Sequence, residues 1–210
     1  MPVVHRAEQM LRSQAYPSDE SRRGFKRANE GIEKIVLHRL CLLRNLQHLV
    51  VESAGFPDHG KIPVRYTADG AGISPPLRWR CEAPAASYGL LVEDVDAPVA
   101  HPLVHAMVVN LNTVTHALAE GALNSPTHNG ADIDPALHAR FKQAWLPPHP
   151  PVQDKGHRYA FQIFALRFEP SFVKPPGREE FIETVLEFAT AGGCTVGTYE
   201  RPRPAPAHAA

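Results

Sequence analysis

The first patterned segment of the chain has apolar residues at helical spacing. Between residues 31 and 52, apolar side chains recur every three or four positions, while Lys34, His38 and Arg44 fall on the opposite face. The apolar positions are Ile32, Ile35, Val36, Leu40, Leu43, Leu46 and Val50. This pattern predicts an amphipathic helix over residues 31–52. Three roles remain open for its apolar face: packing on the rest of the chain, a homodimer or other protein contact, or contact with a membrane surface.

Beyond Gly60 the pattern changes to short apolar runs that are separated by Gly, Pro and Asp. The runs read IPVRY, PLRWR, YGLLVED, HAMVVNL, YAFQIFAL and CTVGTY. Short runs with turn residues between them predict a mainly β domain over residues 60–201, an antiparallel sandwich or barrel. YAFQIFAL is apolar on both faces of an extended strand, which indicates a central position in its sheet.

One later segment, GREEFIETVLEFAT, again has helical spacing, and Gly192–Gly193 follow it as a helix stop. Its apolar stripe comprises Phe181, Val185 and Phe188. The two ends of the chain lack such patterns. Residues 1–30 are polar and charged, and residues 202–210 are rich in Pro and Ala. We therefore predict a loosely attached N-terminal arm and a disordered tail.

The composition narrows the range of partners and locations. Lys plus Arg and Asp plus Glu number 22 each, so no overall electric field favours nucleic acid. The cysteines Cys41, Cys81 and Cys194 are widely spaced, which argues against a disulfide framework. No apolar run approaches the ~18 residues of a membrane span, and no N-terminal segment has the pattern of a signal peptide. We predict a cytoplasmic protein without a membrane span, a nucleic-acid partner or a cofactor.

Carboxylate and imidazole side chains stand at the ends of several predicted strands. Asp94 and Asp96 alternate with an apolar residue, so on an extended chain both carboxylates point to one side. His105 and His157 each open an apolar run. An aspartate beside an imidazole favours its charged form and leaves an N–H for a ligand oxyanion. These residues predict one composite pocket for a small anionic or polar ligand.

The same residues leave an enzymatic function open. Carboxylate and imidazole together suit acid–base or metal-assisted hydrolysis, with zinc or iron as the metal. His101 and His105 have i, i+4 spacing, but Pro102 argues against the helix that such a metal site needs. The chain lacks G-x-S-x-G, H-E-x-x-H and the phosphate-binding G-x-x-x-x-G-K-[ST] pattern. We therefore predict a non-enzymatic protein without a metal site, and a hydrolase is the alternative.

Four segments form an ordered set: DGAGISPPLRW (69–79), LLVEDVDAPVAHPLVHAMVVNL (90–111), PPHPPVQDKGHRYAFQIFAL (147–166) and GTYER (197–201). The set resembles the phosphatidylethanolamine-binding protein family, in particular its bacterial Raf-kinase-inhibitor-like branch. The D-x-D-A-P element followed by H-R-Y is its most specific part. The resemblance implies an antiparallel, Greek-key-type β-sandwich with peripheral helices. It also implies a surface pocket for phosphate-like anions or phospholipid headgroups.

Carried over by its motifs, the resemblance assigns the residues of this pocket. They are Asp94, Ala97, Pro98, His105, Pro150, Pro151, His157 and Tyr159. It implies that Asp94 orients His105, that both histidines face the anion, and that Tyr159 donates its hydroxyl. We expect Asp96 to brace its loop through backbone N–H groups, and the Ala97–Pro98 bond is a candidate cis peptide.

The loop before His157 departs from the family pattern. Where the family has aromatic-x-Gly-Pro-x-Pro-Pro, residues 145–151 read WLPPHPP, so Pro147 stands in place of glycine. Proline has no N–H to donate, and the loop offers fewer backbone donors to an anion. His149 is the candidate substitute, and we add it to the predicted pocket.

Overall fold

The computed structural model describes residues 32–114, 116–124, 141–152, 154–173 and 176–202. The predicted arm of residues 1–30 lies outside this part, as does the predicted tail beyond its first position. Within the described part, a large sheet carries a small sheet on one face and two α-helices on the other.

Ten strands occur in the described part of the chain. They are β1 (Gln47–His48), β2 (Val50–Glu52), β3 (Gly60–Lys61), β4 (Leu77–Arg80), β5 (Ser87–Asp94), β6 (Leu103–Leu111), β7 (Ala117–Leu118), β8 (Phe141–Gln143), β9 (His157–Leu166) and β10 (Ala189–Tyr199). The large sheet has the order β1-β10-β9-β5-β6-β8 with β3 beside β10, and the small sheet has the order β2-β4-β7. Only β1 and β3 run parallel to their neighbour among these pairs.

The main apolar core lies between the two sheets. Val51 and Trp79 of the small sheet meet Val92, Val108 and Phe161 of the large sheet, and all five are buried. β9 contains YAFQIFAL and lies between β5 and β10, which confirms its predicted central position. The mainly β architecture that we predicted from the apolar runs is confirmed.

Two helices, α1 (Val36–Leu43) and α2 (Arg178–Phe188), cover the other face of the large sheet. Their buried side chains, such as Leu40 and Phe181, pack beside Phe164 of β9, and each contributes about 1.5–3 kcal/mol. The apolar face of α1 therefore packs on the rest of the chain. No helix within the described ranges is both long and apolar enough to cross a membrane.

The first helix is much shorter than predicted. It ends at Leu43 rather than continuing to residue 52, because the residues that follow find partners in both sheets and form β1 and β2. The N–H of Leu49 donates to the carbonyl oxygen of Gly192 at 3.0 Å. Gly193 permits this approach, since a Cβ there would clash with the carbonyl oxygen of Leu49. Sheet pairing has overridden the helical spacing of residues 46–52.

The second helix also ends earlier than predicted. α2 ends at Phe188, and the two glycines that we expected to stop it lie inside β10 instead. Gly192 has a packing role there, because a Cβ at this position would lie 2.6 Å from Leu37 of α1. These glycines bring β10 close to its neighbours rather than capping a helix.

Residues 62–66, which we predicted as the strand IPVRY, are largely not extended. A 3₁₀ helix spans Val64–Tyr66, and a second one, Ile32–Lys34, precedes α1. Pro63 stands just before the Val64–Tyr66 turn, with φ of −57°. Proline cannot donate to a strand partner, which limits β3 to Gly60–Lys61.

A buried polar network joins both helices to the strands behind the candidate site. Glu93 of β5 is fully buried, and its carboxylate accepts from Arg178 of α2 at 2.7 and 3.0 Å and from Gln162 of β9 at 2.8 Å. Gln162 in turn accepts from the N–H of Leu37 at 2.9 Å. Burial raises the pKa of Glu93, and Arg178 opposes this effect. The network fixes the end of β5 where the next residue is Asp94.

Candidate functional site

Asp94, the last residue of β5, organises one end of the large sheet. Its Oδ1 accepts from the backbone N–H groups of Asp96 and Ala97 at 2.9 and 3.0 Å, which holds the turn after the strand. Its Oδ2 accepts from Nδ1 of His157 at 2.8 Å. One carboxylate therefore fixes both the loop after β5 and the first side chain of β9.

His157 is a buried imidazole that favours its charged form. The hydrogen bond to Asp94 raises its pKa, although burial acts in the opposite direction. Its other ring nitrogen, Nε2, lies 3.5 Å from the exposed carboxylate of Asp154. A ring between two carboxylates retains its proton more readily than a free histidine does.

His105 reaches the same face through an irregularity in β6. The register against β5 shifts between Val92, which pairs with Ala106, and Glu93, which pairs with Val104, so His105 has no residue opposite. Val104 belongs to the core under the helices, whereas Ala106 belongs to the core between the sheets. Bulges of this kind redirect a side chain. The shift turns His105 towards Tyr159.

The hydrogen bonds of His105 differ from those of His157. Its Nδ1 donates to the carbonyl oxygen of Leu146 at 2.6 Å, and the N–H of Leu146 donates to the carbonyl oxygen of His105 at 2.7 Å. Burial lowers the pKa of His105. The ring is therefore neutral near pH 7, and its Nε2 is buried without a hydrogen-bond partner among the described residues.

Tyr159 completes the group of polar side chains. It is fully buried, it pairs with Asp94 across β5 and β9, and its ring meets that of His105 edge to face, with 5.0 Å between centroids. Burial and the charge of Asp94 raise its pKa, so the hydroxyl keeps its hydrogen. The hydroxyl makes no hydrogen bond of good geometry in the described part of the chain, although it lies close enough to Asp94 for a weak hydrogen bond to contribute to its raised pKa. A buried polar atom left unpaired costs about 1–3 kcal/mol.

Asp96 forms a separate pair with Arg158. Its carboxylate accepts from the backbone N–H of Arg158 at 2.9 Å and from the guanidinium at 2.6 and 2.8 Å. Burial disfavours the charged carboxylate, but these hydrogen bonds outweigh it and lower the pKa of Asp96. The backbone contact that we expected of Asp96 is thus made to β9, while the N–H groups of its own loop bind Asp94.

Two expected details of the site are wrong. Asp94 orients His157 rather than His105, because the bulge in β6 directs Nδ1 of His105 to Leu146. The Ala97–Pro98 bond is trans, as cis peptides are absent from the described residues. The Asp94 carboxylate holds this turn through hydrogen bonds with the peptide in its ordinary form.

The remaining predicted residues lie in the two loops beside these side chains. Ala97 is half-buried and Pro98 is exposed, whereas Pro150 is buried and Pro151 is exposed. The carbonyl oxygen of Pro151 accepts from the N–H of Asp154 at 3.1 Å. Through Asp154, the carbonyl oxygen of Pro151 is linked to the site, because the carboxylate of Asp154 lies 3.5 Å from Nε2 of His157.

His149 is exposed, and no hydrogen bond or ring contact of the described residues joins it to Asp94, His105 or His157. The pKa of Asp69 is lowered by hydrogen bonds from Arg201 and Tyr199 and, more weakly, by His149. Next to His149, the carbonyl oxygen of Pro148 accepts from the N–H of Ala68 at 3.0 Å, which holds this part of the loop against residue 68.

Sequence analysis missed three residues that contact the site. Leu146 acts through its main chain, which no side-chain pattern reveals. Arg158 stands inside the H-R-Y motif, and Asp154 stands three residues before His157. Both could therefore have been chosen as site residues from their positions in the sequence. Among the residues that the structure describes, no group of three or more His, Cys, Asp or Glu is arranged to hold a metal ion.

The fold and this cluster define a class of mainly β proteins that place an aspartate and two histidines at the ends of neighbouring strands. The chain belongs to the phosphatidylethanolamine-binding protein family, whose sequence profile matches residues 52–200. A crystal structure of a family homologue, CT736 of Chlamydia trachomatis, superimposes with a TM-score of 0.59 and 31% identity. It covers 73% of this chain and 98% of that chain.

Further relatives are bacterial. A UPF0098 protein of Chlamydia pneumoniae is 34% identical over 155 residues, which are 71% of this chain and 97% of that protein. Escherichia coli YbcL has the same fold, with a TM-score of 0.62, 21% identity and coverage of 74% of this chain and 99% of that chain.

One relative bears on location. A Mycobacterium tuberculosis protein named "Putative lipoprotein LppC" is 29% identical over 154 residues, which are 72% of this chain and 72% of that protein. The cytoplasmic location that we predicted is wrong on this comparison, because a name of that kind denotes a lipid-linked protein. A balanced net charge and the lack of an apolar span do not determine the compartment.

Proposed function

We propose that this chain binds a small anionic ligand, of the phosphate or phospholipid-headgroup type, and does not transform it. The observation that supports this function is the ring contact between two side chains whose buried polar atoms lack partners among the described residues, Nε2 of His105 and the hydroxyl of Tyr159; Nε1 of the adjacent Trp145 is also among these atoms. Polar atoms in a protein interior are normally hydrogen-bonded. Two of them on side chains whose rings are in contact, with 5.0 Å between centroids, support a ligand that supplies the missing partners.

The charged groups around these atoms form ion pairs with one another. His157 and Arg158 are the cations beside these atoms; the pKa of His157 is raised by its pairing with Asp94, and Arg158 is paired with Asp96. Asp94 is engaged by His157 and by two backbone N–H groups, so both of its oxygens already have donors. Asp94 and Asp96 are thus compensated, and a ligand near His157 would compete with the exposed carboxylate of Asp154 for Nε2 of the ring.

Access to the site requires movement of its loops. His105 and Tyr159 are 2% and 0% exposed, so a ligand reaches them only when the covering segments move apart. These segments are the loop after β5 and the loop before β9, whose residues Pro98, Val99 and Pro151 are exposed. The loop after β5 has no side chain in the main core, whereas the loop before β9 is anchored there by Trp145.

Binding without catalysis fits the state of the thiols. Burial raises the pKa of Cys41 and Cys81, and that of Cys194 to about 12. Activated thiol nucleophiles have lowered pKa values.

A protein partner or a second copy of the chain could use only a small part of α1. The apolar face of this helix is packed internally, and of its large apolar side chains only Leu42 and Leu43 are exposed.

Substitution of His157 by alanine tests the proposal. We expect His157→Ala to lose binding of phosphate and phosphoethanolamine, because it removes a cation of the site, while the chain remains folded. The measurement is an NMR titration of the ¹⁵N-labelled protein with both ligands. The matched control is His48→Ala, since His48 is exposed on β1 and lies far along β10 from the site. The absence of any ligand response at the His105 and His157 amides of the unmodified chain would refute the proposal.

A further inference from the structure

The hydrogen bonds of His105 determine which ring nitrogen can accept. Nδ1 lies 2.6 Å from a carbonyl oxygen, that of Leu146, and a carbonyl oxygen can only accept, so Nδ1 carries the hydrogen. In a neutral ring Nε2 then has a lone pair and no hydrogen. This atom is the buried one without a partner. The site therefore presents an acceptor at this point, and a fully deprotonated anion would place a second acceptor against it.

The surroundings of His105 do not favour a second proton on its ring. Burial lowers its pKa most, the hydrogen bond to Leu146 and the charge of Asp94 oppose this effect, and the positive charge of His157 adds to it. The loop residues packed on the ring, Trp145 and Leu146, contribute no titratable group. The titratable and charged groups facing the site are Asp94 of β5, Asp96 and Asp154 of the loops, and His157, Arg158 and Tyr159 of β9.

We propose that the site selects an oxyanion that still carries a proton, such as inorganic phosphate or the monoanion of a phosphate monoester. The inference rests on the proposed function and specifies its ligand. The hydroxyl of such a ligand donates to Nε2 of His105. Its charged oxygens accept from the hydroxyl of Tyr159 and are attracted by His157. Sulfate and phosphodiesters have no hydrogen to donate at neutral pH, so one of their oxygens would face the lone pair of Nε2.

The test is calorimetric titration of the full chain with four probes at about pH 6 and about pH 8. Inorganic phosphate carries a hydrogen at both pH values, and methyl phosphate loses its last one near about pH 6. Dimethyl phosphate and sulfate carry none. We expect phosphate to bind at least about tenfold more tightly than sulfate and dimethyl phosphate, the scale of one unpaired buried acceptor. Between about pH 6 and about pH 8, the affinity for methyl phosphate should fall about tenfold relative to the affinity for inorganic phosphate.

Comparing the affinities for phosphate and sulfate separates this effect from the titration of His157, because that titration changes the affinity for every anion in the same direction. Equal affinity for the four probes would overturn the inference and leave the proposed anion site standing. Binding of none of them would contradict the proposed function as well, and the two failures are therefore distinguishable.

A variant provides a second readout. In His105→Gln, the side-chain amide offers a donor as well as an acceptor, so both sulfate and phosphate can be satisfied. We expect the ratio of the phosphate affinity to the sulfate affinity to fall to about one. A ratio unchanged from that of the unmodified chain would show that Nε2 of His105 does not select the ligand. If this variant does not fold, the four probes with the unmodified chain still decide the question.

Discussion

At the scale of single residues, the two histidines of the site are held in opposite protonation states by their partners. His157 donates to a carboxylate, and its pKa is raised, whereas His105 donates to a carbonyl oxygen in a buried position, and its pKa is lowered. One ring therefore supplies charge and the other supplies an acceptor. Sequence analysis found both histidines, but it assigned Asp94 to His105, because linear order does not reveal which way each ring turns.

Replacement of Asp94 by asparagine tests the charged pair. The amide oxygen of Asp94→Asn can still accept from the loop, but the negative charge is lost, so we expect the pKa of His157 to fall. Because the folded-state pKa of His157 is raised, the pair stabilises the fold below the ordinary value of about 6.5, and this contribution disappears as the pH rises through the folded-state value. The free energy of unfolding of the variant should be lower by about 1–3 kcal/mol at about pH 6 and by less at about pH 8.

The measurements are an NMR titration of the His157 ring protons and urea denaturation at the two pH values. Asp154→Asn is the control, since its carboxylate is exposed and lies 3.5 Å from the ring, and its effect should be smaller. An unchanged pKa of His157 in Asp94→Asn would contradict the assigned pairing.

At the scale of secondary-structure elements, the site depends on two features of β5 and β6. The register shift in β6 brings His105 to the face that carries Tyr159, and the network at Glu93 holds the end of β5 against α2. The register shift lies at the neighbours of His105, and Glu93 directly precedes Asp94. Counted from Ala106, a strict alternation of faces along β6 would have placed His105 under the helices, and counted from Val104 it would have placed it between the sheets, so strand periodicity alone does not assign its face.

Substitution of Arg178 tests the network. Arg178→Met leaves the fully buried Glu93 without its cation, and we expect a loss of about 3–5 kcal/mol in the free energy of unfolding. The double variant Glu93→Gln with Arg178→Met removes the charge as well and should recover a large part of this loss. Chemical denaturation of the three proteins provides the comparison. If Arg178→Met is as stable as the unmodified chain, the ion pair does not hold α2 to β5.

At the scale of the whole molecule, the apolar pattern of the sequence predicts the layered fold better than it predicts where each helix and strand begins and ends. Short apolar runs predicted the sheets and the central place of β9, because side chains buried on both faces are visible in sequence. The early helix was predicted too long, since pairing of residues 47–52 with distant strands is a tertiary effect. The position of Leu146 beside His105 was equally hidden, because a main-chain carbonyl leaves no trace in residue type.

The most direct measurement is a crystal structure of the chain soaked with inorganic phosphate. We predict a phosphate group with one oxygen about 2.6–3.2 Å from Nε2 of His105 and another at similar distance from the hydroxyl of Tyr159, with the loops after β5 and before β9 moved apart. A fully soaked crystal in which both atoms remain covered and unpaired, or in which phosphate binds elsewhere, would contradict the proposed site.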